Sequence, residues 1–247
     1  MKKLPGIVLC IVFLLPAHLY AGLELPAFTE CGRIVCHTAF TLCYSEEHEQ
    51  ACWAAYVLTA AMLKGKGFRR SNDFRPDPLV TTGSATPEDY RKSGLDRGHL
   101  VPAGDMKGSR RCMSETFYMS NMSPQVPAFN RGIWKKLEEQ VRRWAEENEE
   151  IMVVTGPVLT DQGFRVIGLN KVAVPFRYYK VILDYREPEL KAIGFILPNS
   201  RSDAELETYA VTVDEVEEVT GLDFFPDLPA AGEELLESKI ELDKWFR

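Results

Sequence analysis

A chain of 247 residues with 45% hydrophobic and 26% charged side chains can bury a sizeable core, which excludes an intrinsically disordered protein. The length allows one large domain or two small ones. A net charge of −7 excludes attraction to polyanions by overall charge, so any such role depends on where the positive residues gather.

The chain opens with a segment that is not part of that core. Lys2 and Lys3 precede the apolar run Ile7 to Leu15, and Ala21 offers a small residue for cleavage, the pattern of a secretory signal peptide over residues 1–21. The run is short and is flanked by Pro5 and Pro16, whereas a membrane span needs about 20 apolar residues. An uncleaved anchor is the alternative. The expectation is a secreted or periplasmic domain over residues 22–247, away from the membrane after cleavage. Loss of Lys2 and Lys3 would take the net charge to −9.

An oxidising compartment favours paired cysteines. Cys31 and Cys36 are close enough to close a small loop, and Cys43 and Cys52 flank a polar turn at residues 45–50 that would set them nearly opposite each other. The expected disulfides are therefore Cys31–Cys36 and Cys43–Cys52, with Cys112 unpaired. A zinc site on Cys31, Cys36 and His37 lacks a second ligand pair at finger spacing.

Residues 22–38 read as irregular. Two apolar runs follow, 40–44 and 53–58, whose aromatic and β-branched content favours a hairpin, although the alanines leave a helix open for the second. Residues 64–75 are basic, rich in glycine and punctuated by Phe68 and Phe74, a composition that can follow a phosphate backbone while a ring lies against a base. Between Lys64 and Arg111 there are eleven Lys and Arg against six Asp and Glu, whereas Asp184 to Asp243 has seventeen acidic residues against four basic. The positive charge is thus concentrated. A loop from Pro76 to Pro87 ends in a helix-start signal at Thr86 to Tyr90.

The most informative stretch comes next. Asp96-Arg97-Gly98-His99 lies on one short strand within residues 95–106, and Ser120-Asn121-Met122-Ser123-Pro124-Gln125 on a second within residues 116–125. Asn130-Arg131-Gly132-Ile133-Trp134 then opens a helix. His99 can serve as a general base near neutrality. Asn130 offers a neutral oxygen of the kind magnesium accepts while keeping most of its waters. Arg97 presents a planar fork that matches a phosphate, and Gly98 lets backbone approach a ligand.

The helix runs to about Asn148, with Ile133, Leu137, Val141 and Trp144 on one face and Lys135, Glu139, Arg142 and Glu146 facing away. Glu138 either reaches a water at the metal or forms an i,i+4 pair with Arg142. Residues 151–157 read as a buried strand. Residues 172–175 and 178–183 read as one strand kinked at Pro175, and 190–197 as its hairpin partner. A helix over 211–219 starts after Thr212, and residues 220–226 end it with Gly221. With no repeat and no linker, the elements suggest a single α+β domain.

These three motifs, in this order and spacing, resemble the DNA/RNA non-specific endonuclease family of ββα-metal nucleases, from roughly Tyr44 to Trp245. The resemblance implies an antiparallel sheet flanked by helices, and it favours a strand over a helix for residues 53–58. It implies hydrolysis of DNA and RNA to 5′-phosphate ends, with His99 as base, one Mg²⁺ on Asn130 and Mn²⁺ as a substitute. Arg97 and Glu138 would share in catalysis, Arg70 and Asp96 would contact the substrate, and Asn121 and Gln125 would position the substrate and the histidine. Arg69 and Arg75 compete with Arg70 for that role, and a homodimer is left open. Two other functions remain: a metal-dependent phosphodiesterase on another substrate, and a catalytically silent nucleic-acid-binding protein of the same fold.

Overall fold

Residues 50–59, Gln-Ala-Cys-Trp-Ala-Ala-Tyr-Val-Leu-Thr, carry apolar side chains at odd and even positions alike, which suits a strand covered on both faces. In the computed structural model, which describes residues 22–27, 32–65, 67–186 and 188–247, this run is an inner strand of a sheet, paired on both sides. The strands are β1 (Arg33–Cys36), β2 (Thr41–Ser45), β3 (Gln50–Thr59), β4 (Asp96–His99), β5 (Met122–Gln125) and β6 (Glu150–Pro157), then β7 (Arg165–Ile167), β8 (Val172–Val174), β9 (Arg177–Asp184), β10 (Lys191–Pro198) and β11 (Ala210–Val211). Seven of them form one antiparallel sheet in the order β1-β2-β3-β6-β9-β10-β11. The pairs β4-β5 and β7-β8 are separate antiparallel ribbons.

The helices are α1 (Ala60–Leu63), α2 (Arg110–Glu115), α3 (Pro127–Phe129), α4 (Lys135–Glu147), α5 (Val213–Thr220), α6 (Ala230–Glu237) and α7 (Leu242–Trp245). Side chains alternate along each strand, so Tyr56, Val153, Tyr178 and Phe195 pack on one face with Leu137, Val141 and Trp144 of α4. Trp53, Val154, Tyr179 and Val181 pack on the other with Val213 and Val216 of α5 and Leu236 of α6. The architecture is α+β, an antiparallel sheet with helices on both faces. Among the described residues no helix is long and apolar enough to cross a membrane.

Several elements differ from the sequence reading. Residues 33–36, expected to be irregular, add an edge strand to β2. Residues 172–174 do not run on into β9 but turn back on β7, and this hairpin docks on the Thr86 to Tyr90 turn, where Asn170 Nδ2 donates to Asp89 Oδ2 at 2.7 Å. The helix expected from Asn130 is three pieces end to end: α3, a π-wound segment Asn130–Trp134 kinked at Gly132, and α4. Helices α1, α2, α6 and α7 were not foreseen.

Neither expected disulfide is present. Cys36 is an exposed thiol, while Cys31 lies outside the described residues, as do residues 1–21 with the expected leader. Cys43 is disulfide-bonded, but not to Cys52, whose thiol is pushed up to about 11 by burial. The physical reason is a register shift. Cys43 faces Trp53 and Tyr44 faces Ala51, so a bulge leaves Cys52 opposite neither.

Candidate active site

The site is built on the β4-β5 ribbon, which sits on the α4 face of the sheet. Ser123 of β5 anchors it, its hydroxyl bonding to Gln50 Oε1 at 2.5 Å and to the Tyr178 hydroxyl at 2.6 Å. The Tyr178 hydroxyl also donates to the Pro124 carbonyl at 3.0 Å. Across the ribbon, Gly98 pairs with Ser123 and His99 with Met122. A Cβ on residue 98 would lie 2.1 Å from Gln125 Cδ, so this glycine makes room for a side chain of the protein rather than for a ligand.

His99 ends β4 and is 7% exposed. Phe74 and Phe117 meet its ring edge-on, with centroids 5.9 and 4.9 Å away. Its Nε2 is buried and has no hydrogen-bond partner. Each phenyl ring also carries a guanidinium: Arg97 lies 4.0 Å over Phe74 and Arg70 lies 4.8 Å over Phe117. Burial, with the charges of Arg70 and Arg97 added, pushes the imidazole from its ordinary 6.5 down to about 3. The ring is therefore neutral at physiological pH and free to accept a proton, but more weakly basic than an unperturbed histidine.

Asn130 sits at the junction of α3 and the π-wound segment. Its Nδ2 donates to Asp96 Oδ2 at 2.9 Å. Arg131 grips the same carboxylate twice, Nε to Oδ2 at 2.8 Å and Nη2 to Oδ1 at 2.6 Å. Burial raises the Asp96 carboxyl, yet the bonds from Arg131 and Asn130 outweigh it and hold the group below the usual carboxylate range. An ionised Asp96 fixes the amide nitrogen and leaves Oδ1 of Asn130 as the atom available to a ligand. A single neutral oxygen suits a hard cation that keeps several waters.

Behind these groups lies a cluster of charge. Glu138 is half-buried, Lys180 is fully buried with its Nζ 4.7 Å over the Trp134 ring, and Asp105 is fully buried. Asp105 accepts from Arg142 Nη1 and from the Tyr56 hydroxyl, each at 2.8 Å. Burial raises the Glu138 carboxyl and lowers the Lys180 amine, while each charge favours the other. Arg70 also acts electrostatically on Glu138, which links the cluster to the His99 pocket. Arg142, expected to face solvent or pair with Glu138, turns inward to Asp105 instead.

The structure brings His99, Arg97, Arg70 and Glu138 into one neighbourhood, with Asn130 held beside it through Asp96. It separates Arg70 from its competitor Arg75, which is tied to Asp73 and Ser114 and lies over Tyr118. It does not support substrate contacts by three of the expected residues. Asn121 is fully buried and spends its amide on backbone, accepting from Val101 N and donating to the carbonyls of Val101 and Thr116. Gln125 is fully buried against Gly98, and Asp96 is committed to Arg131 and Asn130. Phe117, Arg131 and Lys180 were missed, and Phe74, expected as a ring for a base, packs against His99 and Arg97 instead. Only Lys180 left a signal, as a lone charge inside the apolar run Tyr178 to Leu183.

A family model described as DNA/RNA non-specific endonuclease matches residues 25–231. The mitochondrial nuclease EXOG of Danio rerio is 39% identical over 207 residues, covering 78% of this chain and 60% of that protein. The mitochondrial endonuclease G of Homo sapiens is 36% identical over 205 residues, covering 78% and 69%. Among solved structures, the crystal structure of the EndoG/EndoGI complex matches with a TM-score of 0.78 and 31% identity, covering 87% of this chain and 94% of that one. The shared architecture is the ββα-metal nuclease fold. This chain therefore spans less than two thirds of the zebrafish relative's length. Both relatives are named as mitochondrial, which overturns the secreted or periplasmic address expected from the first residues.

Proposed function

We propose, from the premise that this chain belongs to the DNA/RNA non-specific endonuclease family, that it hydrolyses phosphodiester bonds of DNA and RNA with little sequence preference. The observation that carries this reading is the His99 pocket: a neutral imidazole with an unpartnered Nε2, set between two guanidinium groups that are held on aromatic rings. That is a base beside an anion cradle. Asn130 would hold the metal, Mg²⁺ with Mn²⁺ as a substitute, and when bound it would stabilise negative charge on the phosphate and the leaving oxygen.

The protein's own groups do the rest. Arg97 and Arg70 bind the phosphate oxygens and offset the charge that builds on them. His99 Nε2 takes a proton from a water molecule, whose oxygen bonds to phosphorus as the bond to the 3′ oxygen breaks. A proton from solvent completes the 3′ hydroxyl, and the other product ends in a 5′ phosphate. The imidazolium that forms is buried, so its charge is tolerated only while the phosphate lies beside it. Glu138 orients water next to Asn130. These contacts address phosphate rather than bases, which supports weak sequence preference.

The test is incubation of the full-length protein with supercoiled plasmid and with structured RNA, in Mg²⁺ and in chelator. Cleavage of both nucleic acids in Mg²⁺ and of neither in chelator is expected. Binding without cleavage under every divalent metal would refute the assignment.

A further inference from the structure

On the face of the sheet away from the His99 pocket, α5 and α6 bring Asp214, Glu217 and Glu237 together, with one carboxylate oxygen of each within 4.8 Å of the others. Asp214 and Glu217 are three residues apart on α5 and so share a helix face. Glu237 is the last residue of α6, where the negative end of the helix dipole disfavours a carboxylate. It is only 5% exposed, and its Oε1 is buried with no hydrogen-bond partner.

The surroundings add no relief. The charges acting on Glu237 are Glu217, Glu233, Asp214 and Asp223, all carboxylates, and burial with their repulsion pushes it up to about 8. Glu217, pushed up to about 7, receives one bond, from the Phe224 backbone N–H at 2.7 Å. Among the described residues none of the three enters an ion pair. A buried carboxylate facing two others is unfavourable unless it holds a proton or a compact positive charge joins the three, and a cation would displace that proton.

We propose that Asp214, Glu217 and Glu237 form a second cation site, for a hard divalent ion of the calcium class, that ties α5 to α6. Calcium takes oxygen ligands at about 2.3–2.6 Å and tolerates irregular carboxylate sets, so two oxygens on one ion lie at most about 5 Å apart. The observed spacing meets that limit. Magnesium, with ligands at about 2.0–2.1 Å and a strict octahedron, fits less well. This site differs from the Asn130 position in its place on the sheet and in its charged donors, and it does not depend on the nuclease reading.

The test is thermal unfolding of the full-length protein as Ca²⁺ is titrated, for wild type, Glu237→Gln, Asp214→Asn and Asn130→Ala. At a hundredfold excess over the dissociation constant, wild type should melt about 5–10 °C higher than in chelator. Glu237→Gln should lose that rise, and in chelator it should melt no lower than wild type because the amide removes the repulsion. Asp214→Asn, altered at an exposed position, should show a smaller rise, and Asn130→Ala the full one. The site is refuted if wild type shows no Ca²⁺-dependent rise, if both carboxylate variants keep it in full, or if Asn130→Ala abolishes it.

Discussion

His99 meets two requirements that oppose each other. Burial between Phe74 and Phe117 keeps the imidazole neutral and able to accept a proton, while Arg70 and Arg97 make each accepted proton harder to hold. The unshifted value near neutrality that its residue type suggested is thus corrected to about 3. With the folded value below the unfolded one, the unfolded chain binds more protons between these limits, so stability falls as pH drops from about 6.5 towards 3. Urea unfolding of His99→Ala should lose less stability than wild type between about pH 6.5 and 4; equal losses would contradict the burial account. Asp96 acts through its neighbours, so Asp96→Asn should raise the Mg²⁺ concentration for half-maximal cleavage by about 10–100-fold while leaving the rate at saturating Mg²⁺ largely intact. An unchanged metal dependence would remove it from that role. At this scale the sequence singled out His99, Arg97 and Asn130 by residue type, and the structure places the first two in one pocket with Asn130 held beside it through Asp96. It did not separate substrate contact from support for Asn121, Gln125 and Asp96, because a polar side chain that braces the ribbon carrying His99 looks the same in sequence as one that reaches a ligand.

The β4-β5 ribbon is short and depends on close contacts with its surroundings. Gly98→Ala would drive a methyl group into Gln125, and the required shift should destabilise the protein by about 1–3 kcal/mol, measurable by chemical denaturation. An unchanged midpoint would show that Gln125 has room to move. Helix α5 illustrates what local signals can specify: Thr212 accepts from the Glu215 backbone N–H, Glu215 reaches back to Thr212 N, and Gly221 ends the helix with φ of 68°. Thr212 and Gly221 were legible in advance. Helix α6 starts after Pro229 with no side-chain cap, and the β7-β8 hairpin is fixed by Asp89, more than eighty residues away in sequence, so neither announces itself locally. The bulge at Cys52 belongs to the same class. A shift of one residue in register redirected a cysteine pairing that spacing alone had favoured.

Across the whole molecule, charge is segregated between a basic flank near the ribbon and an acidic opposite region. Arg69, Arg70, Arg97 and Arg110 are exposed on the basic side, so binding should weaken steeply with salt. Arg97→Ala should reduce the slope of log affinity against log salt by about 1, equally on different sequences. A loss confined to one sequence would point to base recognition instead. Charge distribution was readable from the sequence because it needs no register. The cellular address was not, since a leader is read by a receptor and leaves no mark on the packing of the fold.

The central claim is that His99 moves the proton and Asn130 holds the metal, and the most direct measurement is single-turnover cleavage of duplex DNA over a wide range of Mg²⁺ and Mn²⁺. His99→Ala should stay below wild type by roughly 10²–10⁴-fold at every metal concentration while still binding DNA. Asn130→Ala should lose activity at low metal and regain part of it at high metal, because its defect lies in occupancy. A His99→Ala enzyme as fast as wild type, or one restored by added metal, would contradict the account.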